Sequence, residues 1–223
     1  MFRGITVASE CGGGGSIIAR RVAERLGWSL LDRALLDAVA RAAHVDTETA
    51  ARYDEHVDSW WHRFHRGGLW CAAVEGGLAS ADVQFFDAET VASLAHGVIA
   101  RAAAKGNCVI VGRGAQCVLC RRDDILHVFI YGPWGERVAR VRSRGQANGN
   151  AEELLRVIDQ ERASYLRTYY GCDWKDPHLY HVMINSQIGT DDAASMIVDT
   201  VQRGNTQLLS PFEAWGYNRD DGI

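Results

Sequence analysis

Residues 5–21 read ITVASECGGGGSIIARR, and the order of the parts decides the fold. A short apolar, β-prone run ends at Ala8. Four glycines, Gly12 to Gly15, follow. Ile18, Val22 and Leu26 then recur at helical spacing until Gly27 stops the pattern. A glycine loop between strand and helix lets backbone N–H groups converge on an anion, and the helix N-terminus adds partial positive charge. Gly12, Gly13, Gly14 and Gly15 are therefore candidate phosphate ligands. Ser16 stands where the Ser or Thr of a phosphate loop binds Mg²⁺. The pattern G-x-x-x-x-G-K-[ST] is not met: Ser9 takes the first glycine position and Gly15 the lysine position. A tight glycine turn with no ligand is the plain alternative.

Outward from this stretch, short strands alternate with helices. WSLL (28–31), CVIVG (108–112), ILHVFIY (125–131) and HVMIN (181–185) are the further strand candidates. The continuous apolar run of CVIVG is that of a strand buried on both faces. Helices are expected after Asp32, after Asp87, after Pro133, over AEELLRVIDQERASYLRTYY (151–170), and over DDAASMIVDTVQ with Thr190 as its cap. Residues 44–86, rich in Trp, His and paired glycines, read as an irregular helical insertion. The alternation implies an α/β fold with a parallel sheet covered on both faces. Ligands of such sheets bind at the C-terminal strand ends. That directs attention to residues 9–16, 32–33, 112–116, 131–137 and 185–189.

Several arginines fall in or near these windows. Arg113 sits between two glycines directly after a buried strand, where its fork suits a phosphate or carboxylate. Arg137, Arg140 and Arg144 share one helix face by spacing and would suit a polyphosphate; a solvated face explains them equally well. Leu155, Ile158, Arg162, Tyr165 and Tyr169 share another face, so Arg162 interrupts an apolar and aromatic stripe. An inward Arg needs an anion or strong acceptors. Asp159, one turn earlier, is the structural candidate for that partner. CVLC (117–120) is a lone C-x-x-C, read as buried thiols because zinc needs two more ligands at a sensible spacing.

The 223 residues are 47% hydrophobic with a formal net charge of −4, so no general attraction to nucleic acid or anionic membrane is expected. Of the 24 basic residues, all are Arg except Lys105 and Lys175. No 18-residue apolar run and no export signal is visible, so a cytoplasmic protein with reduced thiols is expected.

With these pieces placed, the chain resembles the cytidylate kinase-like family, a branch of the P-loop nucleoside monophosphate kinases. The resemblance runs over about residues 3–203. It rests on ITVASECGGGGSIIARRVAERLG, LLDRALLDAVA, GNCVIVGRGAQCVL and DQERASYLRTYYGCDWKDPHLYHVMINSQIG, in that order. It implies a five-stranded parallel sheet in a single kinase-like domain over 1–204, followed by a tail over 205–223. It implies transfer of the ATP γ-phosphoryl group, with Mg²⁺, to a nucleoside monophosphate such as CMP or a related small acceptor. It places the phosphates at Gly12 to Ser16, the start of the acceptor segment at Asp32 and Arg33, an acceptor-phosphate ligand at Arg113, and a lid over 137–175 that carries Arg162. Arg137 and Arg140 join Arg113 and Arg162 as candidate catalytic cations. Residues 44–86 correspond to the acceptor-side insertion. A homodimer is compatible with this reading; a nucleic-acid or membrane partner is not expected.

Members of the family usually read Ser-Arg-Glu-Tyr-Gly-Ser-Gly-Gly-Arg-Glu around the loop. Here the two arginine positions are Ser9 and Ser16, and Arg20 and Arg21 lie a turn further on, pointing away. Phosphoryl transfer is mostly positioning and charge stabilisation, so this loop must borrow its cations from elsewhere. The competing reading is a catalytically impaired, kinase-like protein that binds a nucleotide or a partner.

Overall fold

The computed structural model describes residues 1–32, 88–143 and 150–204. The helix expected after Asp32, the insertion, the tail, Arg33 and Arg144 lie outside the described residues. Five strands, β1 (Gly4–Ser9), β2 (Ser29–Leu31), β3 (Cys108–Val111), β4 (Ile125–Tyr131) and β5 (Val182–Asn185), form one sheet in the order β2-β3-β1-β4-β5. Every pairing is parallel. The five-stranded parallel α/β expectation is therefore met.

The helices are numbered in chain order over the described residues: α1 (Gly15–Leu26), α2 (Ala88–Lys105), the short α3 (Ala115–Val118), α4 (Trp134–Ser143), α5 (Ala151–Tyr170) and α6 (Thr190–Arg203). Alternate side chains of the central strands feed two cores, as a two-residue period demands. Ile5, Val7, Val109, Val128 and Ile130 pack with Ile18 and Val22 of α1 and Ile197 and Val201 of α6. On the other face, Ile110 and Ile125 pack with Ile99 of α2, and Ala8 and Phe129 with Leu166 of α5, Trp174 and Tyr180. Each fully buried Ile or Leu contributes roughly 1.5–3 kcal/mol.

Local signals set the helix ends. Asn150 caps α5 by accepting from Glu153 N at 3.1 Å. Thr190 is not the cap of α6. That position belongs to Gly189 (φ 98°, ψ 148°), and Thr190 opens the helix, its hydroxyl accepting from Arg21 Nη1 at 2.5 Å. Asp191 also pairs with Arg21 (2.6 Å) and Arg25 (2.8 Å), so α1 turns these cations toward α6 and away from the glycine loop.

β1 is central and its two neighbours, β3 and β4, lie on opposite sides. The chain thus leaves β1 in one direction and returns on the other. This switch point opens a crevice above the C-terminal end of β1, and it is there that Ser9 to Ser16 lie.

Candidate active site

The loop leaves β1 at Ser9 and enters α1 at Gly15. Gly12 and Gly14 take φ of 73° and 85°, the left-handed region that favours glycine. A Cβ at Gly12 would also stand 2.7 Å from the carbonyl oxygen of Arg137. Gly13 N turns inward to Glu10 O at 3.0 Å. The N–H groups of Gly14, Gly15 and Ser16 donate to no other group among the described residues, while that of Gly12 faces the Cys11 thiol. Helix α1 has no side chain capping its N-terminus. A concave set of N–H donors at an uncapped helix start fits an anion, a phosphate above all.

Beneath the loop lies a charged network that holds its backbone. Arg137, 4% exposed, donates from Nε to Cys11 O at 2.7 Å. Its Nη1 lies 3.2 Å from Glu10 Oε2, and its Nη2 pairs with Asp159. Asp159 in turn accepts from Cys11 N at 2.8 Å. The peptide groups on both sides of Cys11 are therefore clamped, one by a carboxylate and the other by a guanidinium. Arg140 Nη1 donates to Gly12 O at 3.2 Å and to Ser186 Oγ at 2.8 Å. Spacing put Arg137 and Arg140 on one face, and both do reach the loop. They bind its carbonyls, so their charge acts through the loop's position and potential. Breaking so buried a pair from one side costs about 3–5 kcal/mol, since it strands the partner charge.

Above this network a cavity of about 270 Å³ opens between the loop, the end of β3 and helix α5. Ser9, Ser16, Arg113, Glu161, Arg162 and Tyr165 are among its walls. Arg162 also donates from Nη1 to the carbonyl oxygen of Ser9. Arg113, Arg162 and Ser16, three residues from separate parts of the sequence, thus share one cavity. Asp32 lies directly after β2.

Arg113 has φ 55°, flanked by Gly112 at 74° and Gly114 at 69°. Three successive left-handed residues are costly when the middle one carries a side chain, about 1–2 kcal/mol there. The guanidinium lies 6.0 Å from the centroid of the Tyr165 ring, and Tyr170 Oη donates to Arg113 O at 3.4 Å. Strain of this kind concentrates at functional sites. Burial pushes the Tyr170 hydroxyl up, with Tyr165 adding to the effect, so it stays a donor. Burial likewise raises the Cys11 thiol, which keeps the loop's cysteine protonated and unreactive. Of the C-x-x-C cysteines, Cys117 is hydrogen-bonded to Cys172. That bond, with burial, holds the Cys117 thiol up, and the same bond lowers Cys172.

Sequence reasoning missed Glu10 and Glu161, and it noted Lys175 as one of two candidate lysines without placing it at the loop. Glu10 is a single charged residue in an otherwise small, neutral loop. Glu161 precedes Arg162 on the same helix. Each of these is a visible signal, but none says which groups the fold brings together.

A family model for the cytidylate kinase-like family matches residues 4–188. Curated relatives are cytidylate kinases of Methanosarcina mazei, 31% identical over 83 residues, and Methanosarcina acetivorans, 32% identical over 66. These alignments cover 36% and 29% of this chain, and 46% and 37% of the relatives, so the chain matches less than half the length of either. Among solved structures, an uncharacterized protein from Eubacterium ventriosum aligns with a TM-score of 0.65 at 21% identity, covering 91% of this chain and 99% of that one. The shikimate kinase of Acinetobacter baumannii, solved with shikimate, aligns with a TM-score of 0.50 at 16% identity, covering 92% and 96%. At these identities the likeness is one of fold.

Proposed function

Because the chain belongs to the cytidylate kinase-like family, we propose that it transfers the γ-phosphoryl group of ATP, with Mg²⁺, to a small phosphate-bearing acceptor, a nucleoside monophosphate such as CMP. The observation that carries this reading is the meeting of Ser9 and Ser16, the two ends of the glycine loop, with Arg113 and Arg162 around one cavity. A phosphate needs donors and positive charge converging from several sides, and this lining supports that reading.

When bound, MgATP supplies the transferable phosphoryl group and a metal ion that neutralises phosphate charge. The N–H groups of Gly14, Gly15 and Ser16 would hold phosphate oxygens. The Ser16 hydroxyl would ligate Mg²⁺. Arg162 meets the charge that develops on the transferring group, Arg113 anchors the acceptor's own phosphate, and Asp32 with Arg33 opens the acceptor segment. Arg137 and Arg140 are positioning residues that keep the loop in shape. Helix α5, which carries Arg162, acts as the lid. Among the described residues no helix is long and apolar enough to cross a membrane.

The test is ADP release from MgATP against a panel of CMP, dCMP, UMP, AMP, GMP and small alcohols. Turnover of one nucleoside monophosphate is expected, with kcat about 10²–10³-fold lower in Arg162→Ala. The absence of any Lys or Arg from residues 9–16 favours a second reading, a nucleotide-binding protein without turnover. ATP binding by calorimetry with no accepted substrate would select it. No binding of any nucleotide at millimolar concentration would remove both.

A further inference from the structure

The phosphate loop has no cation in its own sequence, and the whole chain has two lysines. Lys105 ends α2, exposed, at the opposite end of β3 from the site. Lys175 is elsewhere. It follows Trp174 in the turn after α5, and its Nζ lies 2.7 Å from Oε1 of Glu10, a residue of the loop itself. The other oxygen of Glu10 accepts from Gly132 N at 3.2 Å and faces Arg137 Nη1 at 3.2 Å.

The partners of Glu10 differ in how they reach it. The side chains of Glu10 and Arg137 are 10% and 5% exposed, that of Lys175 50%. Arg137 therefore meets the carboxylate from within the protein and Lys175 meets it from the solvent side. The Lys175 ammonium also lies 5.5 Å from the centroid of the Trp174 ring, and Trp174 is a wall of the same cavity as Ser9 and Ser16. A half-exposed ion pair is held weakly, while the lysine stem is long, flexible and ends in a compact point charge. Arg137, already paired with Glu10, leaves that carboxylate compensated when the lysine departs.

Resting on the kinase reading above, we propose that Lys175 supplies the lysine the loop lacks: its ammonium rests on Glu10 and transfers to the phosphate oxygens of a triphosphate that enters the glycine nest. The cation thus comes from the turn behind the lid helix, not from position 15 of the loop. Its charge serves the outer phosphates, so it discriminates ATP from AMP.

Two measurements on the full chain test this. In the first, MgATP and AMP are titrated by calorimetry into wild type, Lys175→Met and Lys175→Arg. The expected result is an ATP Kd about tenfold or more higher in Lys175→Met, largely restored in Lys175→Arg, with AMP affinity unchanged. A purely structural lysine would alter ATP and AMP binding alike. The second measurement needs no variant. Wild type is acetylated with an N-hydroxysuccinimide ester, with and without MgATP, and each lysine is followed by peptide mass spectrometry. Labelling of Lys175 should fall several-fold with MgATP and not with AMP, while Lys105 serves as the internal reference and stays constant. Equal ATP affinity in Lys175→Met, or unchanged Lys175 labelling in ATP-saturated wild type, overturns the lysine proposal and leaves the kinase reading standing. Wild type that binds no ATP overturns both.

Discussion

Ser9 occupies the space that a side chain at position 15 would need. A Cβ built on Gly15 would lie 2.5 Å from both the Cβ and the Oγ of Ser9, well inside any real contact. The two departures from the phosphate-loop pattern are thus one event in space. In this loop the Cβ of a residue at the seventh position would sit over the first residue, so a lysine there needs glycine at the first. Once the first position carries a side chain, the seventh must be glycine.

This makes a sharp expectation for loop repair. Gly15→Lys alone should unfold at lower temperature than wild type, by the overpacking cost of about 1–3 kcal/mol, and should gain no ATP affinity. Ser9→Gly with Gly15→Lys should recover most of that stability and bind MgATP more tightly than Ser9→Gly alone. Thermal unfolding and calorimetry read both effects. Additive stability changes in the double variant would show that the two positions do not compete for space.

Arg113 offers a second test, because its backbone and its side chain pull in opposite directions. At φ 55° the backbone favours glycine. Arg113→Gly should therefore be more stable than Arg113→Ala by about 1 kcal/mol, although it is the more drastic truncation. Both should raise the acceptor KM, because both remove the fork that faces the cavity. Urea unfolding separates the two variants. If glycine is no better than alanine, the left-handed backbone is not a stored cost and loses its value as a marker of function.

The sheet was legible because buried parallel strands are continuous apolar runs: CVIV and ILHVFI announce themselves, and the glycine loop fixes the connection after β1. Arg162 was legible as a charge interrupting an apolar stripe. What could not be read was pairing across the chain. Asp159 is one turn from Arg162, yet its carboxylate takes Arg137 and the Cys11 amide. The Glu10–Lys175 pair spans 165 positions, and no local periodicity encodes it. Thr190 failed as a cap for a similar reason: its hydroxyl is claimed by Arg21, 169 positions away.

The core also carries a pH dependence. His127 is fully buried on β4, its Nδ1 2.7 Å from Thr6 Oγ1 and its ring stacked on His181 at 5.2 Å. The His181 Nδ1 accepts from the His127 backbone N–H at 3.0 Å. Burial first, and the neighbouring His181 second, push the His127 imidazole down to about 3 from its usual 6.5. In the fold the ring is thus neutral across the whole range above about 3, while the unfolded chain takes up its proton near 6.5. Between these values the unfolded state binds more protons, so stability is full above 6.5 and falls as the pH drops toward 3. The slope from this residue approaches about 1.4 kcal/mol per pH unit. Urea midpoints at pH 7, 6, 5 and 4 should decline for wild type. His127→Gln, which keeps a partner for Thr6 but has no titrating ring, should start lower at pH 7 and decline less steeply. The difference between the two profiles isolates His127 from the carboxylates common to both. Parallel profiles would mean that the ring is protonated in the fold as easily as in the unfolded chain.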